Sequence, residues 1–257
     1  MKKTVRFSLF VGLLAILMML SACSKSKLTY DPDKNAYVGR AGTFYRASSN
    51  YLAVGVDKAE ELAKLKREGS EDILLYPICK PGTDIYMNTE LWMADGDYHV
   101  YYAEGVTLPK LWEMEVSLID IVRRGDKLVG VGEVENASDI AKVIDRYQNG
   151  TAFSYNDSKC NFRVAATKNY ELAFTSQAYQ GLYYMLNYYE YEKSVTYTEL
   201  VEDPNSFTPK FDFKYTLQEF EGDTYVRYDL GKTFIYDREA GLCYPVDDLA
   251  DLFFVKE

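Results

Sequence analysis

The stretch Phe211-Asp-Phe-Lys-Tyr-Thr-Leu-Gln218 decides how this chain is read. Phe211, Phe213, Tyr215 and Leu217 fall on one side of a period-two pattern, and Asp212, Lys214, Thr216 and Gln218 on the other. Alternation of that regularity predicts a strand with one face buried and one wet. Glu-Gly-Asp223, Leu-Gly-Lys232 and Arg-Glu-Ala-Gly241 then punctuate Tyr225 to Asp229, Thr233 to Tyr236 and Leu242 to Val246. Short turns between such runs predict an antiparallel meander. Asp247 is placed to cap a last short helix with Leu249, Leu252 and Phe253 inward.

Upstream, Met114 to Val122 and Leu128 to Val134 flank Arg-Arg-Gly-Asp-Lys127, a hairpin pattern. After it Ile140, Val143, Ile144 and Tyr147 repeat at i, i+3, i+4 and i+7, the stripe of an amphipathic helix ended by Asn149-Gly150. Further back, Leu91-Trp-Met93 is joined to Tyr98 through Tyr102 across Ala-Asp-Gly-Asp97, and Ile73 to Ile78 is closed by Lys80-Pro-Gly-Thr83. Asp57-Lys-Ala-Glu60 has the form of a capping box, which with Gly69 predicts a helix at 58–68. Strands joined by short turns, with helices between blocks, give an α+β fold with mainly antiparallel sheet and a few short helices. A subdivision near residue 105 is possible, although no linker marks it.

The chain begins differently. Lys2, Lys3 and Arg6 precede an almost wholly apolar run from Phe7 to Leu20, and Ser21-Ala22 are small residues before Cys23. This is the layout of a secretory signal peptide, too short for the ~20 residues that span a bilayer as a helix. Leu20-Ser21-Ala22-Cys23 resembles the lipobox of bacterial lipoproteins. That resemblance covers only the leader, and it implies cleavage before Cys23 and a diacylglycerol thioether on its sulfur. It implies a protein held to the bacterial cell envelope by lipid and facing outside the cytoplasm, by more than one acyl chain because a single chain anchors only marginally. Residues 1–22 are then the signal peptide, 23–36 a lipidated polar tether reaching about 45 Å when extended, and 37–257 the ectodomain.

Composition excludes several functions. The 257 residues carry 29 Lys and Arg against 39 Asp and Glu, a net charge of −10, and loss of the leader makes the balance more acidic. Such a chain repels phosphate backbones, so nucleic acid is not an expected partner. At 47% hydrophobic the chain is globular. Once Cys23 is committed to lipid, Cys79, Cys160 and Cys243 allow at most one disulfide and read as small buried hydrophobes. With one histidine, His99, and no CxxC pair, neither a metal site nor a cofactor is expected.

The remaining motifs have plainer explanations. Asp31-Pro-Asp-Lys-Asn35 opens like a calcium loop, but Ala36 and Gly42 stand where Gly and Glu are needed. Gly130-Val-Gly132 lacks the third glycine of a dinucleotide fingerprint, since Glu135 occupies its place, and reads as a bulge or a close backbone approach. Arg124-Gly-Asp126 is turn chemistry, and Asn136-Ala-Ser138 and Asn149-Gly-Thr151 are helix-end caps. Glu133 and Glu135 share one face of one strand about 7 Å apart, a spacing glycosidases use and solvated surfaces also show. No catalytic residue is named.

Tyrosine stands out, with 24 in the chain and seven of them from Tyr179 to Tyr197. A flat apolar ring with a polar tip suits both half-buried sheet positions and binding faces. As a strand, residues 182–192 put Tyr184 and Tyr188 with Leu182 and Leu186 toward the core. Tyr183, Tyr189 and Tyr191 then face outward as a candidate binding surface. The expected function is a membrane-anchored binding or interaction module for a protein, envelope component or glycan. The alternatives are a carboxylate-dependent hydrolase of envelope polymers and a structural or inhibitory lipoprotein.

Overall fold

The computed structural model describes residues 26–39, 42–66, 71–124 and 128–253. Cys23, Gly69 and the Gly125-Asp126 turn therefore lie outside the described residues. The fold is α+β and mainly antiparallel, and the described residues divide into two compact units, those up to 47 with those of 55–106, and residues 48–54 with those from 107 on. A boundary at one residue does not describe this division, because Ser48–Val54 belongs with the later part of the chain.

In the first unit, β1 (Ser26–Asp31), β2 (Ala36–Val38), the start of β3 (Phe44–Ala53), β4 (Ala63–Lys66), β5 (Ile73–Tyr76), β6 (Trp92–Asp95) and β7 (His99–Ala103) follow the order β3-β2-β1-β4-β5-β6-β7. β7 also pairs with β3, and Glu104 N–H donates to Phe44 C=O at 2.7 Å, so the seven strands close on themselves. β1 and β4 run parallel. The core of the ring is Leu28, Ala63, Leu65, Leu75, Met93 and Tyr101.

Two expectations are corrected here. The 23–36 tether gives way to sheet from Ser26, because Leu28 alternates with polar neighbours and is buried between β2 and β4. Asp31 instead closes the β1–β2 turn, its carboxylate accepting from the amides of Asp33 and Lys34. In place of the helix expected at 58–68, the described residues 58–66 form a turn followed by β4. Asp57 does accept from the Ala59 amide at 3.0 Å. Beyond it Ala63 and Leu65 alternate inward with Lys64 and Lys66 outward, and period two wins over the cap.

The second unit contains η1 (Leu111–Glu113), β8 (Val116–Arg124), β9 (Leu128–Val134), the helix α1 (Ala137–Asn149), β10 (Phe153–Ser154), β11 (Lys168–Ser176), β12 (Leu182–Val201), β13 (Tyr215–Phe220), β14 (Asp223–Asp237), β15 (Leu242–Pro245) and η2 (Asp247–Phe253). Its strands follow the order β9-β8-β11-β12-β14-β15-β10. The end of β3 lies beside the start of β12, and β13 pairs with β14. The β8–β9 register slips between Ile121 and Val122, opposite Gly132 and Gly130, the bulge read from the two glycines. Asn136 caps α1, its side-chain oxygen accepting from the Ser138 amide at 2.9 Å.

Three local readings differ from the structure. The strand read over 211–218 begins at Tyr215, and all six residues of β13 are exposed, so it has no buried face. Leu-Gly-Lys232 is a bulge within the single long strand β14, where Gly231 adopts φ +94°. A Cβ there would run into the Asp247 carboxylate. That carboxylate accepts from the amides of Lys232 and Thr233 and from the Thr233 hydroxyl, so Asp247 caps the bulge, not a helix.

Beneath α1 the sheet buries Ile119, Ile121, Leu172, Phe174, Leu182, Leu186 and Tyr188, with Phe253 of η2 against Tyr188 at 4.9 Å. A polar network lies among them. Asp237, 4% exposed, accepts from the Asn50 side-chain amide at 2.8 Å, the Ala240 amide at 2.9 Å and the Tyr147 hydroxyl at 2.6 Å. Because Tyr147 spends its proton on Asp237, the Tyr184 hydroxyl 2.8 Å away donates to Tyr147.

Candidate functional site

The opposite face of β8, β11, β12 and β14 carries the arrangement best suited to hold a ligand. Cross-strand register sets it: Glu171 stands beside Val122 and Asn187, Asn187 beside Tyr236, and Ala173 beside Asp120 and Met185. Arg238 follows Tyr236 by two residues and so shares its face. One nitrogen of its guanidinium lies 3.4 Å from the Glu171 carboxylate and 3.2 Å from the Asn187 side-chain oxygen.

Both acceptors are buried, whereas the Arg238 side chain is 47% exposed. The guanidinium is thus anchored along one edge, with other N–H donors left toward solvent. Tyr189 and Tyr236 stack beside it, ring centres 5.6 Å apart at 24°. Burial, and then the neighbouring phenols, raise the Tyr189 hydroxyl to about 12, while the Arg238 charge works against that rise.

Farther along the face, Leu52, Val122, Ala173 and Met185 form an apolar floor with Tyr183 at its side. Asp120 lies at the margin of that floor. Desolvation pushes its carboxyl above the ordinary range, and a hydrogen bond from Thr175 opposes the rise. Burial and the Asp120 charge push the Tyr183 hydroxyl up.

The three outward tyrosines read from the sequence divide. Tyr183 and Tyr189 are half-buried on this face. Tyr191 is 3% exposed and its outward placement is overturned, because Phe162 and Phe234 close over it at ring distances of 6.2 and 5.9 Å. Tyr184 is buried on the core side, as alternation requires. Glu171, Asn187 and Arg238 were missed in the sequence reading. Their signal was a charged or amide residue at a buried strand position, which becomes visible only when register brings the three together.

Asp120 and Glu171 are diagonal neighbours, about 7–8 Å apart by strand geometry, within the range that hydrolysis by two carboxyls uses. Glu171, however, directs its carboxylate at Arg238 and is 5% exposed, a poor position from which to activate water. Glu133 and Glu135 are exposed. His99 begins β7 with its Nδ1 3.1 Å from Asp95, whose carboxylate also accepts from the amides of Asp97 and His99. That contact fixes a turn. Cys160 and Cys243 are buried free thiols within an aromatic core, and Cys79 is a free, partly buried thiol. Comparison with protein-family models, with curated proteins and with solved structures finds no match.

Proposed function

We propose that this chain is an extracytoplasmic binding module, lipid-anchored through Cys23, that receives a polar envelope component, a glycan or a protein segment, on the Arg238 face. The observation that carries the reading is a half-exposed guanidinium fixed by two buried acceptors and bordered by half-buried tyrosine rings. Fixing the donor before the ligand arrives lowers the ordering cost of binding. Tyrosine rings add contact area at little entropy cost, and they suit sugar rings and extended peptide alike.

Anchoring and binding are tested separately. Metabolic labelling with a fatty acid should mark the wild type and not Cys23→Ala, and equal labelling would remove the anchor. Cross-linking in intact envelopes should capture a partner with the wild type. Arg238→Lys keeps the charge opposite Glu171 while losing the planar fork, so capture should fall several-fold with the melting temperature nearly unchanged. Equal capture by wild type, Arg238→Lys and Tyr183→Ala would rule this face out.

A further inference from the structure

A second concave surface lies on the outward face of β12, β13 and β14, away from the Arg238 site. Its cavity of about 510 Å³ falls within the usual size for small-ligand sites and is lined by Lys193, Ser194, Thr196, Lys214, Thr216, Gln218, Arg227 and Asp229 among others. Register explains how they meet. Thr196 stands opposite Asp229, and Arg227 stands between Thr198 and Thr216. The Asp229 amide donates to the Lys214 carbonyl at 2.8 Å, which brings Lys214 onto the same row. The break in β12 register between Glu190 and Thr196 brings Lys193 and Ser194 to the rim.

The charge of this groove runs against that of the chain. In a protein of net charge −10, three cations and one carboxylate share one depression. Lys193, Lys214 and Arg227 are exposed and have no ion-pair partner among the described residues. Asp229 is partly engaged, accepting from the Gly231 amide at 3.0 Å. By contrast, Lys159, in the loop before β11, and Lys210, in the loop before β13, are spent on Glu199 of β12, at 3.2 and 2.8 Å. Cations kept apart from the abundant carboxylates of an acidic protein attract an anion that the remaining surface repels. The residues between them are hydroxyls and an amide, which donate and accept alike.

We propose that this groove binds an anionic saccharide, with Arg227, Lys214 and Lys193 meeting its carboxylate or other acidic groups and Thr196, Thr216, Ser194 and Gln218 meeting its hydroxyls. The interleaving of charge with neutral hydrogen-bonding groups is what favours a charged sugar over a lone anion. The site uses none of the residues of the Arg238 face, so either proposal stands without the other.

The test uses the full chain and an oligogalacturonate of about six units, its fully methyl-esterified neutral counterpart, inorganic phosphate, and vesicles containing anionic phospholipid. Calorimetry should show binding of the acidic oligosaccharide that weakens as salt rises. The neutral form and phosphate should bind at least tenfold more weakly, and the vesicles should not bind through this groove. Arg227→Gln with Lys214→Gln should weaken the acidic oligosaccharide at least tenfold without moving the melting temperature by more than a degree or two, since both side chains are exposed. Lys232→Gln, outside the groove, serves as the charge control and should change affinity less than twofold. Unchanged binding in the double variant, equal loss in the control, equal binding of the neutral sugar, or phosphate or vesicles binding as tightly as the sugar would each overturn the proposal.

Discussion

β12 and β13 belong to the same unit and teach opposite lessons about what a sequence pattern reports. The first ten residues of β12, LYYMLNYYEY, alternate poorly, yet seven are buried and the other three half-buried. β13 continues the cleanest alternation in the chain and buries none of its residues. Alternation describes the pleat, whereas burial depends on what lies beside and over the strand. β12 has β11 along one edge and β3 then β14 along the other. Tyr184 meets Tyr147 of α1 on one side, and Tyr191 meets Phe162 on the other. β13 has one neighbour, β14, and lies at an edge.

The largest test of that difference is truncation on both faces of β12. Tyr184→Ala and Tyr191→Ala should each cost about 3–5 kcal/mol in denaturant unfolding, since each removes a buried ring. A value under about 1 kcal/mol for Tyr191 would restore it to the surface. Next, Asp237→Ala leaves the Asn50 amide, the Ala240 amide and the Tyr147 hydroxyl without their acceptor, and should cost about 3 kcal/mol. Gly231→Ala should cost about 2 kcal/mol, because φ +94° disfavours a side chain and the Asp247 carboxylate occupies the space.

Alkali reads the same comparison without mutation. The Tyr184 and Tyr189 hydroxyls are raised to about 12, chiefly by burial. A phenol with a raised folded pKa stabilises fully below its unfolded value near 10, and that stability is lost as pH climbs from there through about 12. Phenolate absorbance should therefore rise in two phases, exposed rings first and buried rings only with loss of near-ultraviolet circular dichroism. A single phase near pH 10 with the fold intact would contradict the burial of β12. The smallest effect belongs to β13, where Leu217→Ser should change stability by no more than about 0.5 kcal/mol.

Much of the strand order was legible. The β6–β7 and β8–β9 hairpins, α1 and the β14–β15 turn follow from turn residues and periodicity, and Glu221-Gly222, both at positive φ, make the tight β13–β14 turn that Glu-Gly predicts. What was not legible depended on distant partners. Alternation in Ala63–Lys66 is only four residues long, a weaker signal than the capping pattern at Asp57. The closure of Phe162 over Tyr191 joins segments about thirty residues apart. The Glu171–Asn187–Arg238 cluster joins three strands, and no one of them carries its signal alone.

The segment Ser48–Val54, mostly the second half of β3, has a consequence for how the protein is made. Tyr51, Leu52 and Ala53 pair with Tyr184, Tyr183 and Leu182, and Asn50 reaches Asp237 across 187 residues of sequence. An early segment thus waits for partners that leave the ribosome much later, and loop closure over such separations slows folding. Such an N-terminal piece cannot finish its pairing alone. A circular permutant that moves residues 48–54 next to β12 should refold faster than the natural order.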